Sequence, residues 1–151
     1  MKTYITKIEQ VIPHFNTVNT NVSNRGVDWH LDHILRVMAS VTSQLKQSNP
    51  DDYVKTFNFK RELIFLTKKI PKGRVQAPKH VNTLTEIDKN EVKSLLEKAK
   101  ENEISFSTIP KNAYFNHPFF GHLNRNQTKR FLQVHTHHHL NIINDIIKTD
   151  S

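Results

Sequence analysis

Ten histidines in 151 residues is an unusual count, and four of them fall within Val134-His135-Thr136-His137-His138-His139-Leu140. Imidazole is the side chain that titrates near neutral pH and the commonest ligand of transition-metal ions, so such a cluster points to metal binding or to proton transfer. At about 100° per residue, Phe131, Leu132, Ile142, Ile143 and Ile146 define the apolar arc of a helix. His135 and His139 fall in the middle of that arc, His138 at its edge and His137 on the polar side. Burying two imidazoles there costs on the order of 1–3 kcal/mol each unless their ring nitrogens find partners. A shared ion is one such partner, because His at i and i+4 stack on one helix face within reach of a single metal, as in the zinc-protease helix motif.

A third ligand has to come from a facing element. The other paired histidines are in Trp29-His30-Leu31-Asp32-His33. Helical periodicity puts His30 at the edge of that segment's core face and His33 further round, near Val37 and Gly26, so periodicity alone prefers His30. His14, His80, His122 and His137 are expected in loops or on polar faces. His117 precedes Pro118, which biases it to extended backbone, and it either lines the mouth of a pocket or pins its loop.

Several elements must position these residues. Ile5, Ile8, Val11, Ile12 and Phe15 recur at helical spacing over residues 3–15, with Pro13 shortening or kinking the segment. Val27, Leu31, Ile34, Met38, Val41 and Leu45 predict a long second helix over 27–45, closed by Gln47-Ser48-Asn49-Pro50. A short helix is expected over 59–69, followed by the basic, aperiodic stretch 71–83. Thr85 and Asp88 each have an acidic residue three positions on, which announces a helix over 88–103. Residues 109–123 are aromatic and aperiodic, and Asn124 with Gln127 forms the capping pair of a last helix. Four long helices with one extended crossover imply an all-α, single-domain four-helix bundle over 1–151, with loop insertions.

Composition agrees. Hydrophobic residues at 36% and charged residues at 24% suit a folded chain with a narrow core, and three Gly with six Pro leave room for uninterrupted helices. Zero Cys excludes disulfides, cysteine-ligated zinc, iron–sulfur clusters and a thiol nucleophile, and fits a cytoplasmic setting. No stretch approaches the roughly 20 apolar residues of a membrane span. Lys and Arg outnumber Asp and Glu by 22 to 14, which keeps a polyanionic partner in view.

Phe115-Asn116-His117-Pro118-Phe119-Phe120-Gly121-His122-Leu123, followed by His135-Thr136-His137-His138-His139-Leu140, resembles the HPFFG…HxxHHL signature of a branch of the DinB/YfiT-like superfamily. The resemblance extends over nearly the whole chain and implies a DinB-like four-helix bundle. It also implies one divalent metal held by a His of the second helix and the HxxxH pair of the fourth, here His135 and His139. Members act as thiol-dependent transferases and isomerases that use low-molecular-weight thiols, or as metal-dependent hydrolases, and a homodimer is expected by analogy. In relatives a Trp-Ser pair opens the second helix and the ligand follows eight residues after the Trp, a position that here is Val37. If Gly26 takes the place of that Ser, His33 lands on the ligand position, so the resemblance favours His33 where periodicity favours His30. Ile142 stands where many relatives carry Gln.

Three histidine ligands would leave coordination positions open, the arrangement of catalytic sites, and zinc, nickel, iron or manganese would all suit imidazole. Asp32 and His138 are the candidates for orienting a ligand or moving a proton beside such an ion. The expected function is a metal-dependent hydrolase or thiol-dependent transferase acting on a small molecule. The alternative is a non-catalytic helical protein with a decayed metal site and a basic patch of Lys68, Lys69, Lys72, Arg74 and Lys79 for a polyanion. That patch has no recognition-helix motif, so nucleic acid is not the expected partner.

Overall fold

The computed structural model describes residues 1–70 and 86–148. They form five α-helices and one two-stranded antiparallel sheet: α1 (Lys2–Val11), α2 (Val27–Gln47), α3 (Phe59–Thr67), α4 (Lys89–Ser105), β1 (Tyr114–His117), β2 (Gly121–Asn124) and α5 (Arg125–Lys148). No helix among the described residues is long and apolar enough to cross a membrane.

α1 buries Ile5, Ile8 and Val11, and gives way at Pro13 to a 3₁₀ turn over Ile12–His14. Proline lacks the N–H that a continuing helix needs and its ring crowds the preceding turn. α2 begins after Gly26, whose extended backbone caps the helix without a side-chain bond, and Asp28 in the first turn suits the positive end of the helix dipole. It ends where Ser48 turns extended ahead of Asn49-Pro50. The Ser48 hydroxyl donates to the Leu45 carbonyl at 2.8 Å and accepts the Tyr114 N–H at 2.8 Å, tying the end of α2 to β1. The predicted helix over 59–69 stops at Thr67, because Lys68 adopts a left-handed conformation (φ 56°) that a helix cannot continue through. Asp88 accepts the Asn90 N–H at 2.8 Å and starts α4.

The stretch 109–123, expected to be aromatic and aperiodic, contains the β1–β2 hairpin, which adds a small sheet to a chain that is otherwise broadly all-α as expected. The register pairs Tyr114 with Asn124, Phe115 with Leu123, Asn116 with His122 and His117 with Gly121. Phe115 and Leu123 face the core, and Gly121 takes φ +70° at the start of β2. Each strand is only four residues long, too short for a two-residue alternation to stand out. The capping pair forms as expected: Gln127 N–H donates to Asn124 Oδ1 at 3.0 Å while Asn124 N–H donates to Gln127 Oε1 at 3.1 Å. Two helix-end donors are thereby satisfied reciprocally.

α2 packs against α4 and α5, and α1 packs against the same two helices. The hairpin lies on α2 and α5, and α3 lies on α5. Ile34, Leu35, Leu45, Val92, Leu123, Ile143 and Ile146 are among the side chains this arrangement removes from water. The α2–α5 seam is the part of the core that carries histidine.

Candidate metal centre

α2 and α5 each bring histidines one helical turn apart to their shared seam. His33 Nε2 lies 3.2 Å from His135 Nε2, and the ring centroid of His139 is 4.7 Å from that of His33 and 4.6 Å from that of His135. His33, His135 and His139 offer one nitrogen each, all within 4.8 Å of one another. His33 and His139 are buried, and His135 is partly exposed.

The donor set fits a divalent ion. Two imidazole nitrogens each bound at about 2.0–2.1 Å in tetrahedral geometry are separated by roughly 3.3 Å. The observed 3.2 Å matches that separation and is equally the length of an N–H···N hydrogen bond between two neutral rings. Protonation would spoil both. Desolvation, followed by the neighbouring His33, holds the pKa of His135 well below its ordinary value, and desolvation with His135, His33 and His30 nearby does the same to His139. Burial thus favours the neutral form of His135 and His139, the form that ligates a metal. Burial likewise pushes His30 down to about 4.

His30 stands beside this group without joining it. Its Nδ1 is 3.0 Å from Nδ1 of His139, and its Nε2 is 3.2 Å from the Ser23 hydroxyl. Of the two residues that periodicity and resemblance put in competition, His33 is thus the one brought together with His135 and His139. A single-stripe projection does not discriminate between the two, because α2 is buried around more of its circumference: His30, Leu31, Asp32, His33, Ile34 and Leu35 are all buried.

His138 is partly exposed, with its ring 5.2 Å edge-on from that of His139, adjoining the cluster at its rim. Asp32 is 1% exposed and gives both carboxylate oxygens to Arg36 Nε, at 2.8 and 2.9 Å, while Arg36 reaches on to Glu91 of α4 at 2.7 Å. The carboxylate is held by this ion pair. His117 accepts the Phe119 N–H on Nδ1 at 3.1 Å, stacks on Phe120 at 4.3 Å and meets Phe131 edge-on at 4.8 Å. It therefore pins the hairpin loop, and burial lowers its pKa to about 4.

The remaining histidines among the described residues are local or surface residues. His14 is exposed, His122 stacks on Tyr114 and accepts the Val54 N–H, and His137 contacts Asn141. His80 lies outside the described residues, as do Thr85, Lys72, Arg74, Lys79 and the whole of 71–83, whereas Lys68 and Lys69 follow the end of α3.

Two contributors were not identified from sequence. Trp29 lies flat on His33, with centroids 4.8 Å apart and planes inclined by 6°, and its four-residue spacing from His33 was the available signal. Ser23, seven residues before His30 in an irregular segment, carries no comparable signal.

These features define a mostly helical protein in which two helices place three histidines close enough to hold one metal ion. The chain belongs to the DUF1569 family, described as a protein of unknown function, whose pattern matches residues 4–145. No curated protein and no solved structure matches it.

Proposed function

We propose that this protein is a DinB-like four-helix bundle of α1, α2, α4 and α5 that holds one divalent cation through His33, His135 and His139. We further assign it to the enzymes that use such a site for hydrolysis or thiol transfer on a small-molecule substrate. The observation that carries this reading is the convergence of three imidazoles from two helices, their ligand nitrogens all within 4.8 Å of one another and His33 Nε2 and His135 Nε2 3.2 Å apart.

A divalent ion held by three protein ligands supplies Lewis acidity at its open positions, towards a water or an incoming thiolate. The rest of the work falls to the chain. Trp29, stacked flat on His33, fixes the plane of that ring, and Phe131, 5.8 Å from the His135 ring, keeps the His135 flank apolar. Partial exposure of His135 sets the direction from which a substrate arrives. His138, at the rim beside His139, is the residue placed to take or deliver a proton. Asp32, closed off by Arg36, serves the packing of α2 on α4.

Elemental analysis of tag-free protein, as purified and after incubation with zinc, nickel, iron(II) or manganese, tests the site. Near one equivalent that disappears in the His135→Ala/His139→Ala double variant is the expected result. No binding under any loading overturns it. Screening ester, amide and thiol-transfer substrates with the loaded protein then separates the two reaction classes.

A further inference from the structure

His30 lies against the metal centre without belonging to it, and the identity of the atoms in contact says what it does. Resting on the reading of His33, His135 and His139 as ligands, we infer that His30 is a positioning residue that fixes which nitrogen of His139 is presented to the ion, through a hydrogen-bonded chain His139–His30–Ser23.

An imidazole has two nitrogens, and a neutral ligating ring keeps its proton on the one not facing the metal. In His139, Nδ1 is taken up by His30 Nδ1 at 3.0 Å, which leaves Nε2 for the ion. The proton of a ligating His139 then resides on Nδ1 and is donated to His30 Nδ1. That makes His30 Nδ1 the acceptor and puts the single ring proton of His30 on Nε2, which donates to the Ser23 hydroxyl oxygen at 3.2 Å. The same oxygen accepts the backbone N–H of Arg25 at 3.1 Å, and a hydroxyl oxygen has a second lone pair to offer His30. Each ring proton in the chain has one place. Nothing about this chain of donors requires a charged ring, and His30, at 3% exposure, is shielded from solvent.

The arrangement also accounts for two histidines at i and i+3 on α2: one ligates, and the other orients a ligand that comes from α5. Partners that hold the second nitrogen of a ligating histidine fix its tautomer and ring plane, and their removal typically weakens metal binding by about 10–100-fold.

The test compares zinc affinity, by competition with a chromophoric chelator, among the unaltered protein, His30→Leu and His30→Asn, with melting of the metal-free forms as the check on folding. His30→Leu keeps the bulk and removes the acceptor; Asn restores an oxygen close to where Nδ1 stood. The expected result is a loss of about 10–100-fold in affinity for His30→Leu at an unchanged stoichiometry of one, with most of it recovered in His30→Asn. In parallel, long-range ¹H–¹⁵N spectra of the unaltered, zinc-loaded protein are expected to show His139 protonated on Nδ1 and His30 on Nε2.

Wild-type affinity in a folded His30→Leu overturns the inference. So does a zinc-loaded His139 protonated on Nε2, a result that needs no variant to fold. Complete loss of zinc in His30→Leu at any loading also overturns it, since that is the behaviour of a ligand. If the unaltered protein takes up no zinc, the reading of the centre itself fails and the inference with it. Zinc bound at one equivalent with no effect of His30 leaves the centre standing and removes only the positioning role.

Discussion

Asp32 and His33 are adjacent in α2, yet about 100° of helical rotation sends one carboxylate to Arg36 and one imidazole to the α5 seam. Their variants should separate accordingly. Asp32→Asn keeps the shape and removes the charge that Arg36 grips twice, which should cost about 1–3 kcal/mol of stability and leave metal stoichiometry at one. Urea unfolding and metal content, measured on the same preparation, check this, and a metal-free Asp32→Asn would return Asp32 to the site. Trp29 offers a second handle at this scale, because it is the sole tryptophan and lies flat on His33 at 4.8 Å. Its emission should therefore respond to the cation directly: nickel is expected to quench it with an endpoint at one equivalent, and the response should vanish in His135→Ala/His139→Ala. Quenching that persists in the double variant would place the metal elsewhere.

The elements that carry the site differ in how plainly their residues announce them. α2 and α5 are long, and a 3.6-residue repeat sustained over five or six turns exposes both helices and the inward placement of His135 and His139. Asn124 and Gln127 form a cap whose partners are three residues apart, so local sequence suffices to find it. The hairpin is different. Its strands are four residues each and are held by Ser48 at the end of α2 and by the core contacts of Phe115 and Leu123, all of them tertiary. The grouping of His33 with His135 and His139 likewise depends on how two helices face each other, which no single-helix projection contains. The hairpin's one local signature is Gly121 at φ +70°, a conformation that side chains with a Cβ adopt at a cost of about 1–2 kcal/mol. A Cβ there would also meet Thr56 Oγ1 at 3.3 Å. Gly121→Ala should accordingly lower the unfolding free energy by about that amount in denaturant titration, while zinc affinity, which depends on α2 and α5, stays unchanged.

For the whole molecule, holding several histidines neutral inside a small core makes folding sensitive to acid. The pKa values of His30 and His117 are lowered from 6.5 to about 4, chiefly by burial, and those of His135 and His139 are also lowered. At pH 7 and above, these rings are neutral in both the folded and the unfolded chain and contribute no pH dependence. Below 6.5 the unfolded chain takes up protons that the folded chain refuses, so stability falls with pH down to about 4, where His30 and His117 begin to charge in place. At pH 5 the penalty is about 2 kcal/mol for each of those two rings, from 1.5 units at 1.36 kcal/mol each. Against the 5–15 kcal/mol that typically holds a domain together, a combined loss of about 4 kcal/mol is large. The metal-free protein should therefore show a marked drop in its urea midpoint between pH 7 and pH 5. His117→Phe, which fills the place between Phe120 and Phe131 with a ring that cannot take up a proton, should reduce the drop. A midpoint that is flat across this range would mean that the rings accept protons in place, and that the seam between α2 and α5 is wetter than its burial implies.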